Sequence, residues 1–182
     1  KSAHGGSGGM TAKDRSEADA RYLALADAAI KTPGMVDYAA LRSAYAQTSF
    51  YSPYGGAALT GKLDAALTAA LEAPAQVKSY EDLSRAHLGH FAAHLHALHA
   101  AQSKKPAFID GAAHQKHLDG IRQSILKSGD GKTPQTAYHV IDIQEEYMLM
   151  KEVLKIQGKK RPTLQQDGHC LLYTSDAADE GL

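Results

Sequence analysis

The chain has 182 residues, with 20 lysines and arginines against 20 aspartates and glutamates, so its formal net charge is zero. This balance excludes the strong attraction to nucleic acid or anionic membranes that a basic protein has, and no apolar run reaches the roughly 18 residues of a transmembrane helix. The single cysteine, Cys170, excludes an internal disulfide and a cysteine-based zinc site. We therefore expect a small-molecule substrate as the partner, with no nucleic acid and no membrane.

Both ends of the chain differ in composition from its middle. Residues 1–9 are typical of a tag remnant followed by a glycine- and serine-rich linker, and Met10 is the expected start of the natural segment. The eleven residues that begin at Cys170 correspond to one reading frame of the adapter used in transposase-based sequencing libraries. We therefore expect a single helical domain over residues 10–169, truncated at its C-terminus and fused to an adapter-derived tail over residues 170–182.

Abundant alanine and apolar residues at three- and four-residue spacing predict helices in the first half of the chain. They run from about Ser16 to Ile30, from Asp37 to Gln47, from Ala57 to Glu72 and, as two helices meeting near Ser79–Asp82, from Ala75 to Ala101. Asp37 is the expected N-cap of the second helix, because its carboxylate can accept hydrogen bonds from free backbone N–H groups. An aromatic loop, residues 49–56, is expected to pack over an edge of the core or to line a pocket.

In the second half of the chain, helices are predicted from about Ile109 to Lys127 and from Thr133 to Leu154. The segment between them, residues 128–132, predicts a turn, because its glycines tolerate positive φ and Asp130 can bond the local backbone. Thr133 is the expected N-cap of the last helix, with proline favourably placed at its first position. No strand is predicted before residue 160. The predicted fold is all-α, an array or bundle of about six to seven antiparallel helices.

Histidine is the unusual ingredient of this chain, with ten copies. Five fall within one predicted helix, where the first three share a face: His87, His90, His94, His96 and His99. His114 and His117 lie one turn apart on the next helix, and His139 and Glu146 share a face of the last one. Imidazole and carboxylate groups at such spacings can converge on one cation between helices. The competing interpretation is a histidine-rich polar surface, because the chain has no His-Glu-x-x-His motif.

Several short motifs in a fixed order resemble those of a bacterial helical domain family of unknown function. They are VDYAALRSAY from Val36, YSPYG from Tyr51, SGDG from Ser128, and TAYHVI from Thr136 followed by Glu145-Glu146-Tyr147. The similarity covers most of residues 35–169 and implies a helical domain followed by a short β-rich end. Because we expect adapter sequence at that position, we expect the natural C-terminal β-rich end to be missing. A bacterial origin leaves both cytoplasm and periplasm open as the localisation.

The resemblance also singles out some of the polar residues and supplies no reaction. Those that fit the pattern are His94, His114, Asp130, Glu145 and Glu146. Those that do not are His87, His90, His96, His99 and His117. The resemblance therefore favours a site that joins His94 and His114 across two adjacent helices and is completed from the last helix.

Our leading hypothesis is a metal-dependent hydrolase that acts on an activated ester or phosphoester. His94 and His114 are the predicted ligands of a divalent metal, zinc by preference, with His139 or Glu146 as the third ligand. A bound ion with an open coordination position would lower the pKa of its water toward ~7 and so produce a nucleophile. Glu145 is the candidate general base.

Arg42 is the candidate for stabilising a developing oxyanion, and its alternative role is to pair with an acidic side chain. The alternative for the whole protein is a non-catalytic helical module that binds a ligand or peptide. That module is favoured if Tyr51 and Tyr54 face a groove and no two histidines approach each other. Removal of the terminal strands would also expose apolar surface, which favours a homodimer.

Overall fold

The structure is a computed structural model, and it describes residues 9–152, 163–167 and 169–173. Seven α-helices dominate this part of the chain, so the predicted helical class is confirmed, and a small antiparallel sheet accompanies them. The helices are α1 (Ala12–Lys31), α2 (Tyr38–Tyr45), α3 (Gly56–Glu72), α4 (Val77–Ala86), α5 (Phe91–Ser103), α6 (Gly111–Leu126) and α7 (Ile143–Glu152). The strands are β1 (Tyr138–Val140), β2 (Thr163–Asp167) and β3 (His169–Tyr173).

Two apolar cores organise the helices, and α5 stands between them. The first core joins α1, α2, α6, β1 and α7, and the second joins α3, α4 and α5. In α3 the residues Leu59, Leu63 and Leu67 recur every fourth position and are all buried, as expected for one apolar helix face. Phe91 of α5 belongs to the first core and Ala97 to the second. Because α5 also packs along α6, polar side chains at this interface are enclosed between the two helices.

Of the starts predicted for the first two helices, the second is where the sequence places it and the first is not. Asp37 is the N-cap of α2, with Oδ1 accepting the backbone N–H of Ala40 at 3.0 Å. α1 starts earlier than predicted, because Thr11 and Asp14 form a reciprocal capping box ahead of Ser16. Within the described residues, no helix is both long and apolar enough to cross a membrane.

The predicted junction between the fourth and fifth helices, near Ser79–Asp82, is wrong. α4 runs through that segment, and the chain turns only over residues 87–90. Close packing against α2 explains the position of this turn: a Cβ atom on Gly89 would lie 2.7 Å from Cβ of Tyr45. Residues 87–90 therefore pass the buried ring of Tyr45 where only glycine leaves enough room.

This turn also corrects the predicted histidine face. His90 is the N-cap of α5, and its Nδ1 accepts the backbone N–H of Ala92 at 3.1 Å. His87 is the C-cap of α4. The two residues therefore do not share a helical face with His94, because the face requires a continuous helix that the chain does not form here.

The predicted helix over residues 133–154 is wrong in its first half. Thr133 acts as an N-cap, as predicted, but of a single 3-10 turn over Pro134–Thr136. Strand β1 follows, with Tyr138 and Val140 buried and the residue between them half-buried, which is the alternation of a strand. The prediction that no strand precedes residue 160 is therefore wrong. The predicted end of the helix, Leu154, lies outside the described residues.

The sheet has the order β1-β3-β2, and both pairs are antiparallel. Val140 lies opposite Cys170, and Asp167 lies opposite His169 in the β2–β3 hairpin. Strands β2 and β3 thus follow the helices, and β3 includes residues of the segment predicted to be adapter-encoded. That the natural β-rich end is missing stays a prediction. The linker over residues 1–9 and the tail from residue 170 stay predictions; residues 1–8 and 174–182 lie outside the described part of the chain.

The turn before β1 is closed by its own backbone. The N–H groups of Asp130 and Gly131 both donate to the carbonyl oxygen of Thr136 at 2.9 Å. Oδ1 of Asp130 accepts the N–H of Lys132 at 3.0 Å, so its predicted local role is confirmed. Gly131 has a φ of +70°, the conformation that favours glycine.

Candidate functional site

Arg42 and Glu145 form a buried ion pair between α2 and α7. Their exposed fractions are 1% and 0%. Nε of Arg42 donates to Oε1 of Glu145 at 2.8 Å, and Nη2 contacts Oε2. Nη1 also donates to Oγ of Ser124 at 3.2 Å, Nη2 donates to the carbonyl of His139 at 2.9 Å, and the N–H of Ile141 donates to Oε2 of Glu145 at 2.9 Å.

These bonds bear on two of the predicted catalytic roles. The alternative role of Arg42, pairing with an acidic side chain, is the one that the structure shows. A guanidinium that reached a substrate, or a carboxylate that took a proton from water, would have to leave a buried ion pair, which costs about 3–5 kcal/mol. Arg42 and Glu145 therefore hold α2, β1 and α7 together, and neither side chain lines the two cavities described below.

His94 and His114 meet between α5 and α6. Their Nδ1 atoms lie 3.0 Å apart, and their ring centroids lie 5.2 Å apart. His94 is 1% exposed, and its Nε2 lies 2.6 Å from the carbonyl oxygen of Leu88. His114 is half-buried in the first turn of α6, which Asp110 caps. The structure thus brings together the two histidines that the sequence singles out.

The hydrogen bonds determine which nitrogen of each ring carries a proton. The carbonyl of Leu88 can only accept, so Nε2 of His94 is protonated. Burial, with the nearby rings of His114 and His117, holds the pKa of His94 well below its usual 6.5. Its Nδ1 is therefore a bare acceptor, and Nδ1 of His114 donates to it. Burial also lowers the pKa of His114, so Nε2 of that ring keeps its lone pair at neutral pH.

His117 is a third imidazole at this position, and sequence reasoning left it out. Its ring centroid lies 5.2 Å from that of His94 and 6.1 Å from that of His114. Its Nδ1 lies 2.8 Å from Oη of Tyr38, which accepts the N–H of Gly34 at 2.8 Å. Nδ1 of His117 and the Tyr38 hydroxyl therefore share one hydrogen bond, whose donor depends on the tautomer of the imidazole. The three-residue spacing from His114 was the available signal.

The predicted third ligands do not join this group. His139 lies on β1, where its carbonyl accepts from Arg42, and Glu146 lies in the first turn of α7. Over the described ranges, no three or more histidine, cysteine, aspartate or glutamate side chains are arranged to hold a metal ion. His139 and Glu146 also do not share a helical face as predicted, because α7 begins only at Ile143.

A cavity of about 690 Å³ opens beside His114 and His117. This volume lies within the range typical of small-molecule sites. Tyr80 of α4 and Phe108 form an aromatic wall, with ring centroids 5.6 Å apart in an edge-to-face arrangement. Arg85 also lines the cavity, but its guanidinium is bonded to a carboxylate of α1 at 2.6 and 2.9 Å.

The aromatic loop does not line this cavity. Tyr51 packs edge-on against Tyr45, with centroids 5.7 Å apart, and its hydroxyl donates to the carbonyl of Ile141. Tyr54 is 67% exposed. Phe50 lines a separate cavity of about 190 Å³. Packing over the core edge is therefore the role of Tyr51. The binding module is favoured only if no two histidines approach each other, and the contact between His94 and His114 does not meet that condition.

Three other histidines of the α4–α5 region have carboxylate or hydroxyl neighbours of their own. Nδ1 of His87 lies 2.8 Å from Oη of Tyr45, and Nε2 of His96 lies 2.7 Å from Oδ1 of Asp64. Nε2 of His90 lies 3.6 Å from a carboxylate oxygen of Asp142, a separation too long for a hydrogen bond. These residues are thus separate from the group around His94.

Comparison with known proteins identifies one family. Residues 21–177 match the family described as Domain of unknown function (DUF4919). No curated protein matches the chain, and no solved structure does. The matched range includes both helices of the histidine pair and all residues of the adjoining cavity. It also continues past residue 169, so truncation at that point stays a prediction.

Proposed function

The chain belongs to the DUF4919 family of domains of unknown function, and from this starting point we propose that it hydrolyses small activated esters, with His114 as general base. One observation carries the proposal. The Nδ1 atoms of His94 and His114 lie 3.0 Å apart, while Nε2 of His94 lies 2.6 Å from a backbone carbonyl. These two contacts leave Nε2 of His114 unprotonated and basic, and His114 lines a cavity of a size suited to a small molecule.

In the proposed reaction, Nε2 of His114 accepts a proton from water while the water oxygen attacks the carbonyl carbon of the ester. The tetrahedral intermediate then collapses, its C–O bond to the leaving group breaks, and the leaving oxygen takes the proton back from the imidazolium. The products are a carboxylic acid and an alcohol or phenol. General-base catalysis of this kind contributes roughly 10²- to 10⁴-fold in rate.

His94 is a positioning residue in this scheme. When His114 is protonated on Nε2, its Nδ1–H still donates to His94, whose own proton remains bonded to the Leu88 carbonyl. The ring of His114 therefore keeps one orientation through the proton transfers. A fixed orientation matters because a general base acts only within hydrogen-bond reach of the proton that it removes.

A metal-dependent form of the same hydrolase is the second candidate, and the facing nitrogens favour it. Two ligands about 2.0–2.1 Å from a tetrahedral zinc ion stand roughly 3.3 Å apart, close to the 3.0 Å between the Nδ1 atoms. A ligating histidine also commonly donates its other N–H to a backbone carbonyl, as His94 does. A metal ion held by His94 and His114 would supply the activation of water in place of a general base, and phosphoesters would join the substrate class.

The test is hydrolysis of 4-nitrophenyl acetate by protein purified without nickel. We expect His114→Gln to lower kcat/KM by about 10²- to 10⁴-fold. His99→Gln is the matched control, because it removes an exposed imidazole from α5 and should leave turnover unchanged. Equal turnover by the His114→Gln variant and the parent protein would reject this site.

Metal analysis on the same preparation separates the two forms. Metal below about 0.2 equivalents, with turnover unaffected by chelator, would reject the metal-dependent form. Near-stoichiometric zinc, with turnover lost on chelation and restored by zinc, would reject His114 as the base. A parent protein that binds aryl esters without turnover would leave the non-catalytic binding module as the function.

A further inference from the structure

We propose that the Tyr80 hydroxyl is the hydrogen-bond donor to the substrate in the cavity beside His114, and that this cavity selects esters with an aromatic group. The inference rests on the proposed hydrolase and names the substrate class of its site. It also assigns to Tyr80 the oxyanion-stabilising role that the sequence suggests for Arg42.

Tyr80 combines deep burial with an unused hydroxyl. It is 2% exposed, and its ring lines the cavity together with Phe108, His114 and His117. A buried tyrosine normally finds a partner for its hydroxyl. Among the described residues, however, Tyr80 has only the ring contact with Phe108, and its oxygen is not among the fully enclosed polar atoms.

Three of the four other buried tyrosines in the described part of this protein show the usual behaviour, and Tyr138 is the exception. Oη of Tyr22 donates to the carbonyl of Arg85, Oη of Tyr38 contacts His117, and Oη of Tyr45 contacts His87. Each of these hydroxyls connects two elements of the fold. The Tyr80 hydroxyl connects none within the described chain, so it is available to bond a molecule in the cavity that it lines.

The chemistry of this hydroxyl suits the role. Burial raises the pKa of Tyr80 to about 12, so the group stays protonated and can only be a donor toward a carbonyl oxygen at neutral pH. A fixed hydrogen-bond donor strengthens its bond as negative charge develops on that oxygen. The oxygen of a tetrahedral intermediate is therefore bound more tightly than that of the intact ester.

The aromatic preference follows from the wall of the cavity. Tyr80 and Phe108 meet edge to face at 5.6 Å, and a third ring can continue this packing in an offset or edge-to-face arrangement. Leu88 and Ile30 add apolar surface beside them. We expect a roughly two- to tenfold preference for an aryl over an alkyl ester of equal reactivity.

The decisive variant is Tyr80→Phe, which removes one oxygen and keeps the ring. Because that oxygen has no partner in the described fold, the thermal midpoint should stay within about 2 °C of the parent value. We expect kcat for phenyl acetate to fall about 10²-fold with KM little changed. Tyr54→Phe, which changes an exposed tyrosine, is the matched control and should leave kcat and KM unchanged. Phe108→Leu should abolish the preference for phenyl acetate over trifluoroethyl acetate.

A binding measurement distinguishes failure of this inference from failure of the proposed function. Phenyl methylphosphonate is a stable tetrahedral anion that resembles the intermediate, and its affinity can be measured by NMR titration. We expect Tyr80→Phe to weaken it about tenfold. If the parent protein hydrolyses no ester but Tyr80→Phe still binds the phosphonate more weakly than the parent protein does, the hydrolase is rejected and the donor role of Tyr80 stands. Equal affinity and turnover in Tyr80→Phe, or no binding to the parent protein, would overturn the inference.

Discussion

Nδ1 of His94 lies 3.0 Å from Nδ1 of His114, across the interface between α5 and α6. Such a contact requires one bare and one protonated nitrogen, or a cation between them. The bond from Nε2 of His94 to the Leu88 carbonyl settles the direction in the first case. In the pair of neutral rings, His114 is therefore the donor and His94 the acceptor.

The two histidines should act as one catalytic unit. We expect His94→Gln to lower kcat/KM for 4-nitrophenyl acetate at least tenfold, because His114 loses its orienting partner. Adding this change to His114→Gln should cause little further loss, since residues that act together are strongly non-additive. A double-mutant cycle from initial rates measures the coupling. Independent, multiplicative losses would show that His94 does not position His114.

The buried Arg42–Glu145 pair should dominate the electrostatic part of stability. We expect Arg42→Met to lower the free energy of unfolding by about 3–5 kcal/mol, because it leaves a carboxylate buried without its cation. The double variant that also carries Glu145→Leu should recover part of this loss. Lys78→Met is the control, because it breaks an exposed ion pair worth about 1 kcal/mol or less. Urea denaturation measures all three, and equal effects of the Arg42 and Lys78 changes would contradict the assignment.

Two glycines inside helices should respond to alanine in opposite directions. A Cβ on Gly120 of α6 would lie 2.3 Å from the buried ring of Tyr38, so Gly120→Ala should destabilise by about 1–3 kcal/mol. A Cβ on Gly61 of α3 meets nothing within 4 Å, so Gly61→Ala should stabilise by about 0.5–1 kcal/mol. Thermal and urea unfolding test both changes. A tolerated Gly120→Ala would mean that α2 and α6 pack less closely than described.

Stability should fall as the pH is lowered from about 6.5 toward 4. Burial lowers the pKa of His87 and of His90 to about 4, so in this range the unfolded chain binds more protons than the folded one. The loss is on the order of a few kcal/mol for His90 and smaller for the half-buried His87. Burial raises the pKa of Asp142 and of Glu145, which acts in the opposite sense and reduces the net slope.

The comparison of urea midpoints at pH 7, 6, 5 and 4.5 tests this pH dependence. His90→Asn is the informative variant, because asparagine can still cap α5 but does not titrate. We expect its midpoint to depend less on pH than that of the parent protein. An identical slope in both proteins would show that His90 does not remain neutral in the folded state.

Local features of the fold were predictable because the groups that form them are close in sequence. Asp37 caps α2 through an N–H only three residues away, and Asp130 bonds a neighbour within its own turn. Apolar spacing predicted the helical class for the same reason. The turn at residues 87–90 was not predictable, because it depends on the room that Tyr45 leaves beside Gly89.

The candidate site divides in the same way. The amino-acid sequence alone determined the helical class, the N-cap of α2, and the presence of His94 and His114 on adjacent helices, since these follow from groups that are close together along the chain. Only the tertiary structure decided that Arg42 pairs with Glu145, 103 residues away, that β1 forms against β3, and that Tyr80 faces the same cavity as His114. Those outcomes depend on which surfaces are buried together, and burial is a property of the packed chain rather than of any one segment.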